Sequence, residues 1–245
     1  MSALAVMLIA MGIADACRRL TRVLWIPVVV APIAVAGAAA TAGLWHLGDI
    51  ALLLLAAAAS IGWLLLCAHS ERTGDREWAP LALFGAAVGL LILLSGWGSD
   101  VAALVARWPQ WAGIHVGPDR LFMVTGVVLL QLVTGNQLVR LLLGSVGAVK
   151  PAGEPQPSDK LKGGRLLGPM ERLLILGLGL AGQLAAATAV VAAKSIIRFP
   201  EINAQKAKEN GNIGIDAVTE YFLVGSFASW IVALAGLALA RSCGS

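Results

Sequence analysis

From Ile50 to Ala68 the chain reads IALLLLAAAASIGWLLLCA, with no charged residue and no proline. As a helix this run rises about 28 Å at 1.5 Å per residue. The hydrocarbon of a bilayer is roughly 30 Å thick. Six further stretches have a similar character: Ser2 to Cys17, Val23 to Leu44, Ala79 to Ser99, Leu121 to Val146, Leu173 to about Arg198, and Tyr221 to Ala240. Across 245 residues, 58% are hydrophobic and 13% charged, with a mean hydropathy of +0.83. A soluble domain is about 25% charged. A chain of this length cannot hide so much apolar surface from water, so part of its solvent must be lipid. The runs are continuous rather than alternating, which excludes a membrane barrel. Lipid also offers no partner to an open sheet edge. The expected fold is therefore all-α, a polytopic transmembrane bundle of about seven spans.

Lysine and arginine fix the expected orientation, because they collect on the cytoplasmic side. With the N-terminus outside, the inner segments hold Arg18, Arg19, Arg22, Arg72, Arg76, Arg140, Lys150, Lys160, Lys162, Arg165, Arg172 and Arg241. The outer segments hold Arg107, Arg120, Lys194, Arg198, Lys206 and Lys208. The excess predicts N-out and C-in. No basic residue precedes the first apolar run, as a cleavable signal would require, so that segment is expected to be a retained helix. Residues 148 to 168, rich in Pro, Gly and charge, read as a cytoplasmic flexible linker. They separate a five-helix region, 1 to 147, from a two-helix hairpin, 169 to 245, with an outer polar loop over 199 to 220. Segment 99 to 120 is flanked by Trp97 and contains Trp108 and Trp111. Tryptophan favours the headgroup level, so an amphipathic piece on the membrane surface is expected there.

Net charge is +4 and not gathered into one block, which gives no nucleic-acid footprint. Cys17, Cys67 and Cys243 lack paired spacing, and His46, His69 and His115 stand alone. No catalytic residue, metal ligand or cofactor is implied. An enzyme acting on lipid would need clustered His, Asp or metal ligands, and the spacing offers none.

The candidate sites are polar residues set in apolar runs. Lys194 and Arg198 are four apart and share a helical face. Either both reach for the outer headgroups, or they join Glu201, Glu220 and Tyr221 in an ion-pair cluster between the last two helices. The fifth run carries Gln131, Thr134 and Gly135 on one face, with Thr125, Asn136 and Arg140 nearer the opposite one. Polar side chains in lipid need partners, and Gln183 is one candidate for Gln131. Glu171 and Arg172 follow Pro169, and read as the capped start of the sixth helix. Gly85 and Gly89 have the spacing that lets two helices approach closely.

In the last third, GRLLGPMERLLILGLGLAGQ, then AAKSIIRF, then EYFLVGSFAS, resembles the C-terminal part of a family of uncharacterised bacterial inner-membrane proteins, known as a domain of unknown function. The resemblance rests on Gly164, Arg165, Gly168, Glu171, Arg172, Lys194, Ser195, Arg198, Phe199, Glu220, Tyr221 and Gly225, and does not extend into the first 150 residues. It implies a multi-pass protein of the bacterial inner membrane and supplies no activity. It favours a specific ion-pair cluster over separate anchors. Two function classes follow. One is transporter-like, binding an anionic or protonatable small ligand or lipid headgroup through Lys194, Arg198, Glu220, Tyr221, Gln131 and Gln183. The other is a non-catalytic scaffold that assembles with another membrane protein or with copies of itself. The bilayer is the expected partner in both, and nucleic acid in neither.

Overall fold

A computed structural model describes residues 1–21, 23–102, 105, 116–147, 164–193, 196 and 214–243, side chains at 164–166 and 214–220 excepted. Among the described residues the protein is all-helical. The helices are α1 (Ser2–Leu20), α2 (Trp25–Ala42), α3 (Leu47–Thr73), α4 (Trp78–Leu93), α5 (Pro118–Ser145), α6 (Gly164–Leu180), α7 (Leu184–Ala193) and α8 (Gly214–Ser242). Four are long and apolar enough to cross a membrane: α2, α3, α5 and the Tyr221–Ser242 part of α8. The expected linker over 148 to 168 is shortened from its far end, since 164 to 168 already belong to α6. Its residues 148–163, the surface segment around Trp108 and Trp111, and Lys194 and Arg198 lie outside the described residues, as does the Glu220 side chain.

α1 is the hub. Every residue from Ser2 through Gly12 is buried, and the helix packs on α2, α3, α4 and α5. A helix apolar on all sides belongs in a core, and this one is enclosed by its neighbours. Gly12 and Gly126 make the α1–α5 contact close. A methyl on Gly12 would sit 2.8 Å from Leu129 Cβ, and one on Gly126 would sit 3.0 Å from Ala5 O. Gly85 and Gly89 do not serve this purpose: nothing lies within 4 Å of where their Cβ atoms would be.

Side chains tie one end of the bundle together. Asp49 accepts from the Ser99 amide at 2.7 Å and the His46 amide at 3.1 Å. Ser2 Oγ donates to Ser99 O at 2.8 Å, and the Val101 amide to Asp119 Oδ1 at 2.9 Å. The starts of α1, α3 and α5 therefore meet the ends of α2 and α4 there. At the opposite end Arg18 of α1 meets Glu71 of α3, and Glu77, before α4, fills the notch left by Gly144 of α5.

One expectation about the C-terminal region is corrected. The sixth run is not one helix. The chain turns at Ala181 and Gly182, with Gly182 at φ 77°, a left-handed conformation that glycine adopts without strain. Glu171 and Arg172 lie inside α6 rather than at its start, because Pro169 is itself within the helix. The contacts of α8 set its direction. Gly225 of α8 faces Leu143, Gly236 faces Gln131 and Val127, and Cys243 lies within electrostatic reach of Met1 and Asp119. α8 therefore runs antiparallel to α5 and finishes at the end where α1 begins. α6 runs the same way as α8, with Arg172 at Ser229 and Gly179 at Leu237. The start of α1 and the end of α8 share one end of the bundle. Glu220 and Tyr221 fall near the opposite end, where α8 begins.

Candidate functional site

Midway along α5 the helix widens into a π turn, Leu130–Thr134. The Gly135 amide donates to Leu130 O, five residues back. Gln131 O is thereby released from its usual α-helical partner, and turns of this kind recur at functional sites. The Arg172 guanidinium takes up that carbonyl, with Nη2 at 2.8 Å and Nε at 3.2 Å. Nη2 also donates to Asn136 Oδ1 at 2.7 Å, and Nη1 to Ser229 Oγ at 3.2 Å. Arg172 is 1% exposed. Gly135 makes the fit possible, since a Cβ there would lie 2.9 Å from Arg172 Nε. The neighbouring Glu171 is also buried, and its carboxylate accepts from Trp230 Nε1 at 2.7 Å. Gln131 donates to Val232 O of α8 at 2.9 Å.

Arg19 of α1 donates to Val133 O, in the same π turn, at 2.6 Å. A second polar group gathers beside it. Asp15 is 2% exposed and accepts from Trp63 Nε1 at 3.1 Å. Arg18 lies between two acids, its Nε 3.6 Å from Asp15 and its Nη1 3.2 Å from Glu71. Gln137 Nε2 donates to the same Glu71 oxygen at 2.9 Å, and Cys67 is buried among these groups. The π turn thus joins two polar centres into one seam: Asp15, Arg18, Glu71 and Gln137 on one side, Arg172, Asn136, Ser229 and Glu171 on the other.

Gln131 is where the sequence placed it, in the interior and fully buried. Its partner is α8, and Gln183 is exposed at the α6–α7 turn. Lys194 and Arg198 cannot be compared with the seam, lying outside the described residues. Asp15, Trp63, Glu71, Gln137 and Ser229 were missed by sequence reasoning. Asp15 carried a signal, an acid inside an apolar run, but its partners lie 48 residues or more away in the chain, apart from Arg18. Among the described residues no group of three His, Cys, Asp or Glu side chains is placed to hold a metal.

Fold and seam together define a class: an all-helical protein with helices able to cross a membrane and ionic side chains buried between them. No protein-family model matches the chain, and neither a curated protein nor a solved structure matches it.

Proposed function

We propose that this is a multi-pass protein of a bacterial inner membrane, transporter-like, that handles a small anionic or protonatable solute along the seam. One observation carries the reading: Asp15 and Glu71 share the single guanidinium of Arg18 beside a π turn in the bundle. Ionisable groups inside a membrane are expensive and usually functional. Two acids competing for one cation can exchange it when either gains a proton, which couples a charge change to the packing of α1 against α3. Gln131 Oε1, buried and without a partner among the described residues, adds an acceptor at the centre of the seam.

The orientation proposed has α1 beginning outside. The opposite end carries Arg18, Arg19, Arg72, Arg76 and Arg140, and the outer end Arg120 and Arg241, which suits the cytoplasmic preference for cations. With α8 finishing beside the start of α1, an even number of passes replaces the odd one. Ser242→Cys and Asp100→Cys variants, both at exposed positions, tested in whole cells with a membrane-impermeant thiol reagent, should both be labelled once the native cysteines are replaced. Labelling of one alone would rule this topology out.

The functional test is flux. Purified protein in liposomes should move protons or a small organic anion, and Asp15→Asn should abolish the movement while the protein stays folded. Intact protein that moves neither would leave the scaffold reading standing. That second reading has its own support: the hydrogen bonds of Arg172 all end on protein acceptors, which suits a structural clamp.

A further inference from the structure

Between the α1–α2 turn and the last turns of α3 is an open cavity of about 230 Å³. Arg18, Arg72 and Thr21 supply its polar lining together with Glu71, and Val23, Leu24 and Ala68 its apolar lining. A water occupies about 30 Å³ in the liquid, so there is room for a phosphate with a few carbon atoms. Arginines in the last turns of α1 and α3 also complement the helix dipoles. That role alone does not account for a cavity left between them. The Glu71 carboxylate would repel an anion, but Arg18 and Gln137 both hold it. The Arg72 charge then remains for a ligand, beside the first amides of α2, whose N-cap Leu24 offers no side chain to them. Such amides favour phosphate. Next in the chain to the lining residues Thr21 and Leu24, Leu20 is 86% exposed and Trp25 65%. An apolar rim of this kind fits acyl chains, and tryptophan suits the headgroup level.

We infer that this cavity binds the phosphate of an anionic phospholipid in the cytoplasmic leaflet, with Arg72 as its cation, Thr21 as a hydroxyl partner, and the acyl chains lying along Leu20, Val23 and Trp25. Basic pockets between helices on the cytoplasmic side are recognised sites for such headgroups. The inference needs the membrane placement proposed above but not the transport reading. A lipid here would sit over Arg18, at the inner mouth of the seam.

Native mass spectrometry of the full chain with phosphatidylglycerol or phosphatidylcholine tests it. Phosphatidylglycerol should be retained in preference. Arg72→Gln should weaken that retention about five-fold, the value of one cation near an anionic surface, with the melting temperature in detergent unchanged. Arg76→Gln removes the same charge from the next turn, outside the cavity, and should leave retention as it was. Equal retention of the two lipids overturns the proposal, and so does an equal loss in the Arg76 variant. Displacement of the lipid by an equal concentration of inorganic phosphate would assign the cavity to the free anion instead, overturning the lipid. Neither readout depends on flux, so a failure here is distinct from a failure of the transport reading.

Discussion

The two polar centres on either side of the π turn solve the same problem in different ways. Around Arg172 the cation is surrounded by neutral acceptors: a carbonyl released by the π turn, an amide and a hydroxyl. Its neighbour Glu171 is occupied by an indole. Around Asp15 two carboxylates divide one arginine, and a cavity opens beside it. The first centre is enclosed and satisfied, so its value is mostly conformational: it fixes α6 and α8 against α5. The second is open at one edge, and its single guanidinium lies against two carboxylates at once. Burial of charge alone does not separate a clamp from a site of exchange; the count of competing partners and the access of solvent do.

The largest blow to that contrast should come from Arg172→Met. It leaves Glu171 buried without the adjacent cation and frees three acceptors, so about 3 to 5 kcal/mol of stability should go. Thermal melting in detergent measures it, and a loss much under 1 kcal/mol would end the clamp account. Gly135→Ala places a methyl against the same guanidinium and should cost about 1 to 3 kcal/mol by overpacking. Its melting temperature should drop with the lateral fit of α6 rather than with any change in flux chemistry. Asp15→Asn keeps an acceptor for Trp63 but gives up a charge-assisted contact, for a smaller cost of about 1.5 kcal/mol. The two centres are distinct if Asp15→Asn stops flux at little cost in stability while Arg172→Met does the reverse.

The smallest effect concerns Glu77, in the turn between α3 and α4. Burial against the Gly144 notch holds its carboxyl above the usual carboxylate range, partly offset by the charge of Arg140. The folded chain therefore holds this proton more tightly than the unfolded chain. The stabilisation is fully present below the unfolded value and is lost as pH rises through the folded one. Glu77→Gln should raise the melting temperature slightly at neutral pH and have no such effect in acid. A drop at neutral pH would show that the ionised carboxylate is held by something more favourable than Arg140.

Most helices were legible as apolar runs. The stretches expected at 23 to 44, 50 to 68, 79 to 99, 121 to 146 and 221 to 240 all fall on helices of the structure. The Ala181–Gly182 break was less legible, because glycine and alanine are too common here to mark a turn. Arg172 was read as a cap because Pro169 resembles a helix start, and Pro169 instead continues a helix already formed. Its burial depends on Gln131, Asn136 and Ser229, which lie 36 to 57 residues away.

Sequence by itself determined the helical state: long apolar runs are stable as helices, with every hydrogen bond closed inside the segment. Only the tertiary structure decided that α1 is enclosed, that α6 and α8 run in the same direction, and which carboxylates divide Arg18. A helix satisfies its own backbone locally, but a buried charge can be satisfied only by whatever folding brings beside it. Nothing in the local pattern specifies that neighbour.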